Sequence, residues 1–179
     1  MHVSLVLTVI GPDRTGLVEQ IAAVAAAHDA NWVESRMARL AGKFAGVLRL
    51  DVPAEIADDL TTELRGLAGK GLNVVIERSD ADDTVTPTRP LVLELVGHDR
   101  PGIVHDVAHV LAQRHVNVVE LNTECFSAPM SGEQLFKATA ELTAPADLDL
   151  ADLHEALEEV AHELDLDLTL EEGQADGFG

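Results

Sequence analysis

The chain has 179 residues, enough for one large domain or two small ones. Its content of 46% hydrophobic and 25% charged residues is typical of a folded globular protein. Only 12 Lys and Arg residues stand against 32 Asp and Glu residues, so the net charge of -20 argues against direct binding to nucleic acid or to an anionic membrane. Aromatic residues make up 3%, which leaves the core to Leu, Val, Ile and Ala and removes the stacking surfaces that single-strand binders use.

The first half of the chain predicts the order strand, helix, two strands, helix, strand. Residues 3–10 are apolar and rich in β-branched side chains, as in a central strand buried on both faces. Residues 44–52 alternate with a period of two after a hairpin turn at 41–43, and residues 72–78 are expected to form the last strand. Apolar residues at helical spacing mark the two helices: Leu17, Val18, Ile21, Val24 and Ala25, then Ile56, Leu60, Leu64 and Leu67.

The second half of the chain repeats the first. Residues 5–34 and 91–120 are identical at 14 of 30 positions with a constant offset of 86, where chance would give about two identities. An insertion of about six residues falls at 125–132 of the second copy. The order β-α-β-β-α-β, found twice, predicts an α+β protein of two ferredoxin-like units. Each unit is expected to be an antiparallel four-stranded sheet with both helices on one face.

Composition sets the expected domain boundaries. The units are predicted at 1–80 and 90–172, joined by a polar, Asp- and Pro-containing linker at 81–89 and followed by a flexible tail at 173–179.

A glycine-bounded turn joins the first strand to the first helix in each unit. Its sequence is Gly-Pro-Asp-Arg-Thr-Gly at 11–16 and Gly-His-Asp-Arg-Pro-Gly at 97–102. The first glycine is expected to permit a backbone that other residues resist, and the aspartate to cap the helix. The second glycine falls in the first helical turn at a cost of about 1 kcal/mol, which is easier to accept if something approaches the backbone closely. These residues are Gly11, Asp13 and Gly16, and Gly97, Asp99 and Gly102.

The turn also carries an arginine, Arg14 or Arg100, at a helix start where the dipole disfavours a cation. Capping, tight packing and a surface ion pair would account for the whole turn without a ligand. Alternatively, the unpaired N–H groups of the helix start attract a carboxylate, while the aspartate can receive an ammonium group. Asn31 and Asn117, expected to end the two helices, could do the same, although spacing alone does not show that they reach one ligand. A free amino acid would match this set of donors and acceptors.

With these turns, the duplicated chain resembles the tandem ACT domain proteins, and among them the glycine cleavage system transcriptional repressor group. ACT domains are regulatory modules that bind amino acids and similar small effectors. The resemblance implies a non-enzymatic regulatory protein with a small-molecule effector such as glycine or serine and no cofactor. It also implies a protein partner, for example a DNA-binding regulator through which control of transcription would be indirect, and a homo-oligomer formed by side-by-side sheet pairing.

The resemblance further implies where the effector lies. The turn of one unit meets the helix end and second strand of another, which designates Gly11, Asp13, Arg14, Gly16 and Asn31, and Gly97, Asp99, Arg100, Gly102 and Asn117. His98, which takes the place of Pro12, could touch a ligand or be an exposed loop histidine. Many amino-acid-binding relatives have Asn at the two aspartate positions. A carboxylate there would repel the carboxylate of an effector and favour its ammonium end.

Other motifs predict no chemistry. His105 and His109 imitate a zinc-binding pair, but helical phase puts them opposite the apolar stripe, so we expect them to face solvent and no metal to bind. The single cysteine, Cys125, excludes an internal disulfide. No nucleophile elbow, P-loop, signal peptide or membrane span is recognisable, so a cytoplasmic protein without catalytic activity is expected. The alternative function is a ligand-independent interaction or dimerisation module of the same fold.

Overall fold

The computed structural model of the protein describes residues 1–79 and 87–173. The chain divides into two compact units, Met1–Asp83 and Thr84–Gly179. The predicted linker at 81–89 and the predicted tail at 173–179 lie largely outside the described residues, although residues 88 and 89 begin a strand.

The first unit has the predicted element order. Its elements are β1 (His2–Pro12), α1 (Leu17–Ala27), β2 (Asn31–Leu40), β3 (Lys43–Pro53), α2 (Ala57–Gly66), a 3-10 turn (Leu67–Lys70) and β4 (Asn73–Ser79). All strand pairs are antiparallel and the sheet order is β2-β3-β1-β4. The hairpin turn predicted at 41–43 is a two-residue turn of Ala41 and Gly42, both with positive φ, and Lys43 already pairs with Leu40 as part of β3.

The second unit repeats this architecture. Its elements are β5 (Thr88–His98), α3 (Ile103–Gln113), β6 (Asn117–Ser127), β7 (Gln134–Pro145), α4 (Leu150–Glu163) and β8 (Leu166–Glu172). The sheet order is β6-β7-β5-β8, again with antiparallel pairs. The predicted α+β fold of two ferredoxin-like units is therefore confirmed.

Each core lies between one sheet face and the two helices of its unit. Leu5, Leu7 and Val9 of β1 have no exposed surface, whereas Ile10 on the other face is 47% exposed. The expectation of a strand buried on both faces was wrong, because both helices cover the same side and leave the other face open. In the second unit Leu91, Leu93 and Leu95 are buried in the same alternating manner. No helix among the described residues is long and apolar enough to cross a membrane.

Candidate functional site

The second glycine of each turn is required by the backbone itself. Gly16 and Gly102 are the N-caps of α1 and α3, with φ of 88° and 96°, in the left-handed region that disfavours a Cβ. Nothing lies within 4 Å of the position that a Cβ would take on Gly16. The prediction that these glycines sit in the first helical turn was therefore wrong: they precede it, and their left-handed φ is the reason for glycine. Close approach of another molecule to them stays a prediction.

The first glycine of each turn serves packing. Gly11 and Gly97 lie at the ends of β1 and β5, and neither has a positive φ. A Cβ would stand 2.7 Å from the main-chain oxygen of Gly71 in the first case and 2.5 Å from that of Asp165 in the second. These glycines therefore leave space for the loop that precedes the last strand of each unit to pack against the first strand. The prediction that they adopt a backbone conformation other residues resist was wrong.

The aspartates of the turns do not cap the helices, contrary to prediction. Neither α1 nor α3 has a side-chain cap, whereas Asp149 accepts a hydrogen bond from the Ala151 N–H, at 2.9 Å, at the start of α4. The N-cap positions are occupied by Gly16 and Gly102, which have no side chain to accept a hydrogen bond. The first N–H groups of α1 and α3 are thus without a side-chain acceptor among the described residues, and a helix start of this kind favours an anion.

The two aspartates have different neighbours instead. Asp13 Oδ2 lies 2.9 Å from Nε of Arg39, an ion pair at the protein surface. Asp99 faces Cys125, a residue to which sequence analysis gave no role. Partial desolvation, the negative charge of Asp99 and a hydrogen bond with its carboxylate raise the pKa of the Cys125 thiol.

The two arginines also differ. Arg14 donates from Nη2 to the main-chain oxygen of Lys70, at the end of the 3-10 turn, where carbonyl groups carry partial negative charge. The partner of Arg14 is therefore a carbonyl rather than the acidic side chain that was considered. Arg100 makes no hydrogen bond or ion pair with any residue that the structure describes.

The two asparagines lie far from the turn of their own unit. The helices end at Ala27 and Gln113. The residues in the left-handed conformation after them are Asp29 and His115, with φ of 52° and 57°, so the prediction that asparagine ends each helix was wrong. Asn31 is the first residue of β2 and pairs with Asp51 of β3, which in turn pairs with Ser4 of β1. Asn31 and Ser4 therefore lie in the same row across the sheet.

That row is seven residues before Gly11 on β1, a separation of about 23 Å. Asn117 stands in the row of Pro90, and Gly97 is likewise seven residues further along β5. Within one unit the structure does not bring turn and asparagine to one ligand.

A cleft of about 440 Å³ opens beside the end of β5. It is lined by Gly97 and His98 together with the end of α4 and the start of β8, including His162, Asp165 and Asp167. His98 is half-exposed, with Nε2 3.4 Å from Glu133 Oε2 and Nδ1 3.4 Å from Asp165 Oδ2. His98 therefore lies at the end of β5, between two carboxylates, and lines the cleft.

The histidine pair of α3 behaves as the helical phase predicted. His105 and His109 are exposed, and their rings stack with centroids 6.3 Å apart. The described residues contain no group of three or more His, Cys, Asp or Glu side chains placed to hold a metal ion.

Arg39 and Cys125 are the residues that sequence analysis missed. They are separated by 86 positions, the same offset that aligns the two turns. Extending the repeat alignment by five residues beyond position 34 would have paired them, and only the insertion assigned to 125–132 obscured this.

Comparison with known proteins identifies relatives for both units. A family model described as the ACT domain matches residues 4–76 and 89–171. The chain is 26% identical over 164 residues to the glycine cleavage system transcriptional repressor of Escherichia coli (strain K12), covering 89% of this chain and 85% of that protein. The protein of the same description from Shigella flexneri matches equally.

Two solved structures cover nearly the whole chain. A crystal structure of an unknown protein from Galdieria sulphuraria superposes with a TM-score of 0.86 at 32% identity, covering 97% of this chain and 100% of that one. A crystal structure provisionally assigned as a glycine cleavage system transcriptional repressor gives 0.67 at 19% identity, covering 96% and 97%. The second likeness shows the fold alone.

Proposed function

Because the chain belongs to the ACT domain family, with one domain in each half, we propose that it is a cytoplasmic regulatory protein without catalytic activity. In this proposal it binds a small amino acid effector, such as glycine or serine, at its βα turns and thereby modulates a protein partner. Its relationship to the glycine cleavage system transcriptional repressor supports a regulatory role.

One observation carries the proposal of an effector site: the first helix of each unit starts without a side-chain cap, next to an aspartate and an arginine. Main-chain N–H groups at a helix start and a guanidinium both attract a carboxylate. A carboxylate such as that of Asp99 attracts an ammonium group. A free amino acid carries both groups on neighbouring atoms, so it matches the turn better than a simple anion or a simple amine.

The position of the asparagines gives the effector a way to act. Asn31 and Asn117 lie about 23 Å from the turn of their own unit, so either can contact the effector only if another unit brings it there. An effector held between two units would favour the arrangement in which those units are associated. The size of this effect equals the difference between its affinity for that arrangement and its affinity for arrangements in which the units are apart. Binding would then change how units associate and what surface they offer to a partner.

The partner is expected to be a protein. At a net charge of -20 the chain would repel a phosphate backbone, so any control of transcription would run through a DNA-binding regulator.

A second candidate function is ligand-independent association. β6 is an edge strand, and it carries apolar side chains that are 39% to 52% exposed at Val118, Val119 and Leu121. An exposed edge with apolar side chains is a surface for pairing with another strand. Association that depends on concentration and ignores every amino acid would favour this function.

A thermal-shift screen of the twenty free amino acids, followed by calorimetry on the full chain, tests the proposal. A ligand at about 100 times its Kd stabilises the folded state by about 2.7 kcal/mol, which raises Tm by several degrees. If glycine is the effector, acetate and methylamine at the same concentration should have little effect, since each keeps only one of the two charges. A flat response to all twenty amino acids would leave the association module as the better account.

A further inference from the structure

We propose that the two turns are not equivalent and that the effector binds at the turn of the second unit. In the first unit, Arg39 neutralises the aspartate of the turn and so prevents binding. In the second unit, the equivalent position holds Cys125, which leaves the aspartate of the turn available. This inference rests on the proposed function, because it specifies which of the two turns takes the zwitterion.

Arg39 and Cys125 occupy the same place in the two sheets. Arg39 of β2 pairs with Phe44, which pairs in turn with Gly11. Cys125 of β6 pairs with Phe136 in the same manner, and Phe136 pairs with Gly97 of the second unit. Phe44 and Phe136 pack in the cores of the two units, so the residue paired with each lies on the helix side of its sheet. In the first unit this residue, Arg39, pairs with Asp13, two residues after Gly11.

In the first unit both charges of the turn are already used. The carboxylate of Asp13 is paired with Arg39 at 2.9 Å, and the guanidinium of Arg14 donates to the Lys70 carbonyl. An incoming ammonium group would have to displace a guanidinium, and an incoming carboxylate would have to compete with a main-chain acceptor.

In the second unit, the carboxylate and the guanidinium of the turn have no oppositely charged partner among the described residues. The position that Arg39 occupies in the first unit is occupied by Cys125 in the second, and a cysteine side chain carries no positive charge that could pair with Asp99. Among the described residues neither Asp99 nor Arg100 forms an ion pair with an opposite charge. A carboxylate without a cation and a guanidinium without an anion, adjacent in one turn, complement the ammonium and carboxylate of one amino acid.

The exchange of the residues at this position tests the inference. The full chain is dialysed to equilibrium against radiolabelled glycine or L-serine in reducing buffer. We expect one bound amino acid per chain for the unaltered protein. Cys125→Arg should weaken binding about fivefold or more, since a guanidinium beside Asp99 must leave before an ammonium can enter.

The reverse substitution and a control sharpen the result. Arg39→Cys should add a second, weaker binding event, because it frees the carboxylate of Asp13. Asn122→Arg adds the same charge on β6 but on the open face of the sheet, so it should leave binding unchanged. Circular dichroism verifies that each variant is folded, and the Arg39→Cys result does not depend on the fate of Cys125→Arg.

The possible failures are distinguishable. If the unaltered chain binds neither amino acid nor any other in the screen, both the proposed function and this inference are overturned. If the unaltered chain binds two amino acids with equal affinity, or if binding survives Cys125→Arg and Arg39→Cys unchanged, the effector role stands and the inequality of the turns is wrong.

Discussion

The main-chain oxygen of Asp165 lies 2.5 Å from the place that a Cβ would occupy on Gly97. No real Cβ sits that close to a backbone atom, so the loop before β8 and the end of β5 can pack together only around a glycine.

Replacing this glycine should therefore destabilise the second unit. Gly97→Ala is expected to lower the free energy of unfolding by about 1–3 kcal/mol, because either the strand or the loop must move. Urea denaturation followed by circular dichroism measures the change. Gly66 is a suitable control: it has a helical φ of -61° and no atom within 4 Å of its Cβ position. Gly66→Ala should be stabilising by about 0.4–1 kcal/mol, and equal losses for the two variants would contradict the packing argument.

The capping assignments predict a difference between two aspartates. Asp149→Ala should cost about 1 kcal/mol of stability, since it removes the acceptor at the start of α4. Asp99→Ala should change stability by less than about 0.5 kcal/mol, because Asp99 caps no helix. Chemical denaturation of both variants decides the matter. A larger loss for Asp99→Ala than for Asp149→Ala would mean that the turn aspartate supports the helix after all.

The Cys125 thiol should react slowly for an exposed cysteine. Its pKa is raised by partial desolvation and by Asp99, so less thiolate is present at a given pH than for a free thiol. Asp99→Asn removes the negative charge, which lowers the pKa and should speed alkylation by iodoacetamide several-fold at pH 8. Rates measured from pH 7 to 10 with glutathione as reference test this. An unaltered pH profile in the variant would show that Asp99 does not act on the thiol.

The acidity of the chain predicts how it behaves toward DNA. At -20 it should show no saturable binding to a bare fluorescent duplex at about 150 mM salt, because there are too few clustered cations to release counterions. Fluorescence anisotropy with and without the effector is the measurement. Submicromolar binding to the duplex alone would require direct contact with DNA and would remove the need for a regulatory partner.

Much of the fold could be predicted because its determinants are local. The alternation in β3 and the apolar stripe from Leu17 to Ala25 each repeat with the period of their element, and the duplication states the pattern twice. The burial of β1 was misjudged for a related reason. Its apolar residues occupy both faces, and periodicity does not say which neighbour, if any, covers each face.

The candidate site could be predicted only in part. The turn was recognisable because its residues are consecutive. The conformation of Gly16 and the missing role of Asp13 as a cap depend on how the chain enters α1, which the pattern of residue types does not specify. The pairing of Asp13 with Arg39 joins residues on different elements, and its sequence counterpart was hidden by the insertion near Cys125.

From the sequence alone came the duplication, the order of elements, the turn with its aspartate and arginine, and the family that these suggest. Those features are carried by residues close together in the chain, where spacing and residue type suffice. Strand register decided the rest: it separates Asn31 from Gly11 along the sheet, and it gives Asp13 a guanidinium but Asp99 a thiol. Strand register is fixed by which side chains from distant strands pack in the core. The separation of Asn31 from Gly11 and the different neighbours of the two aspartates therefore arise only when the sheet has formed.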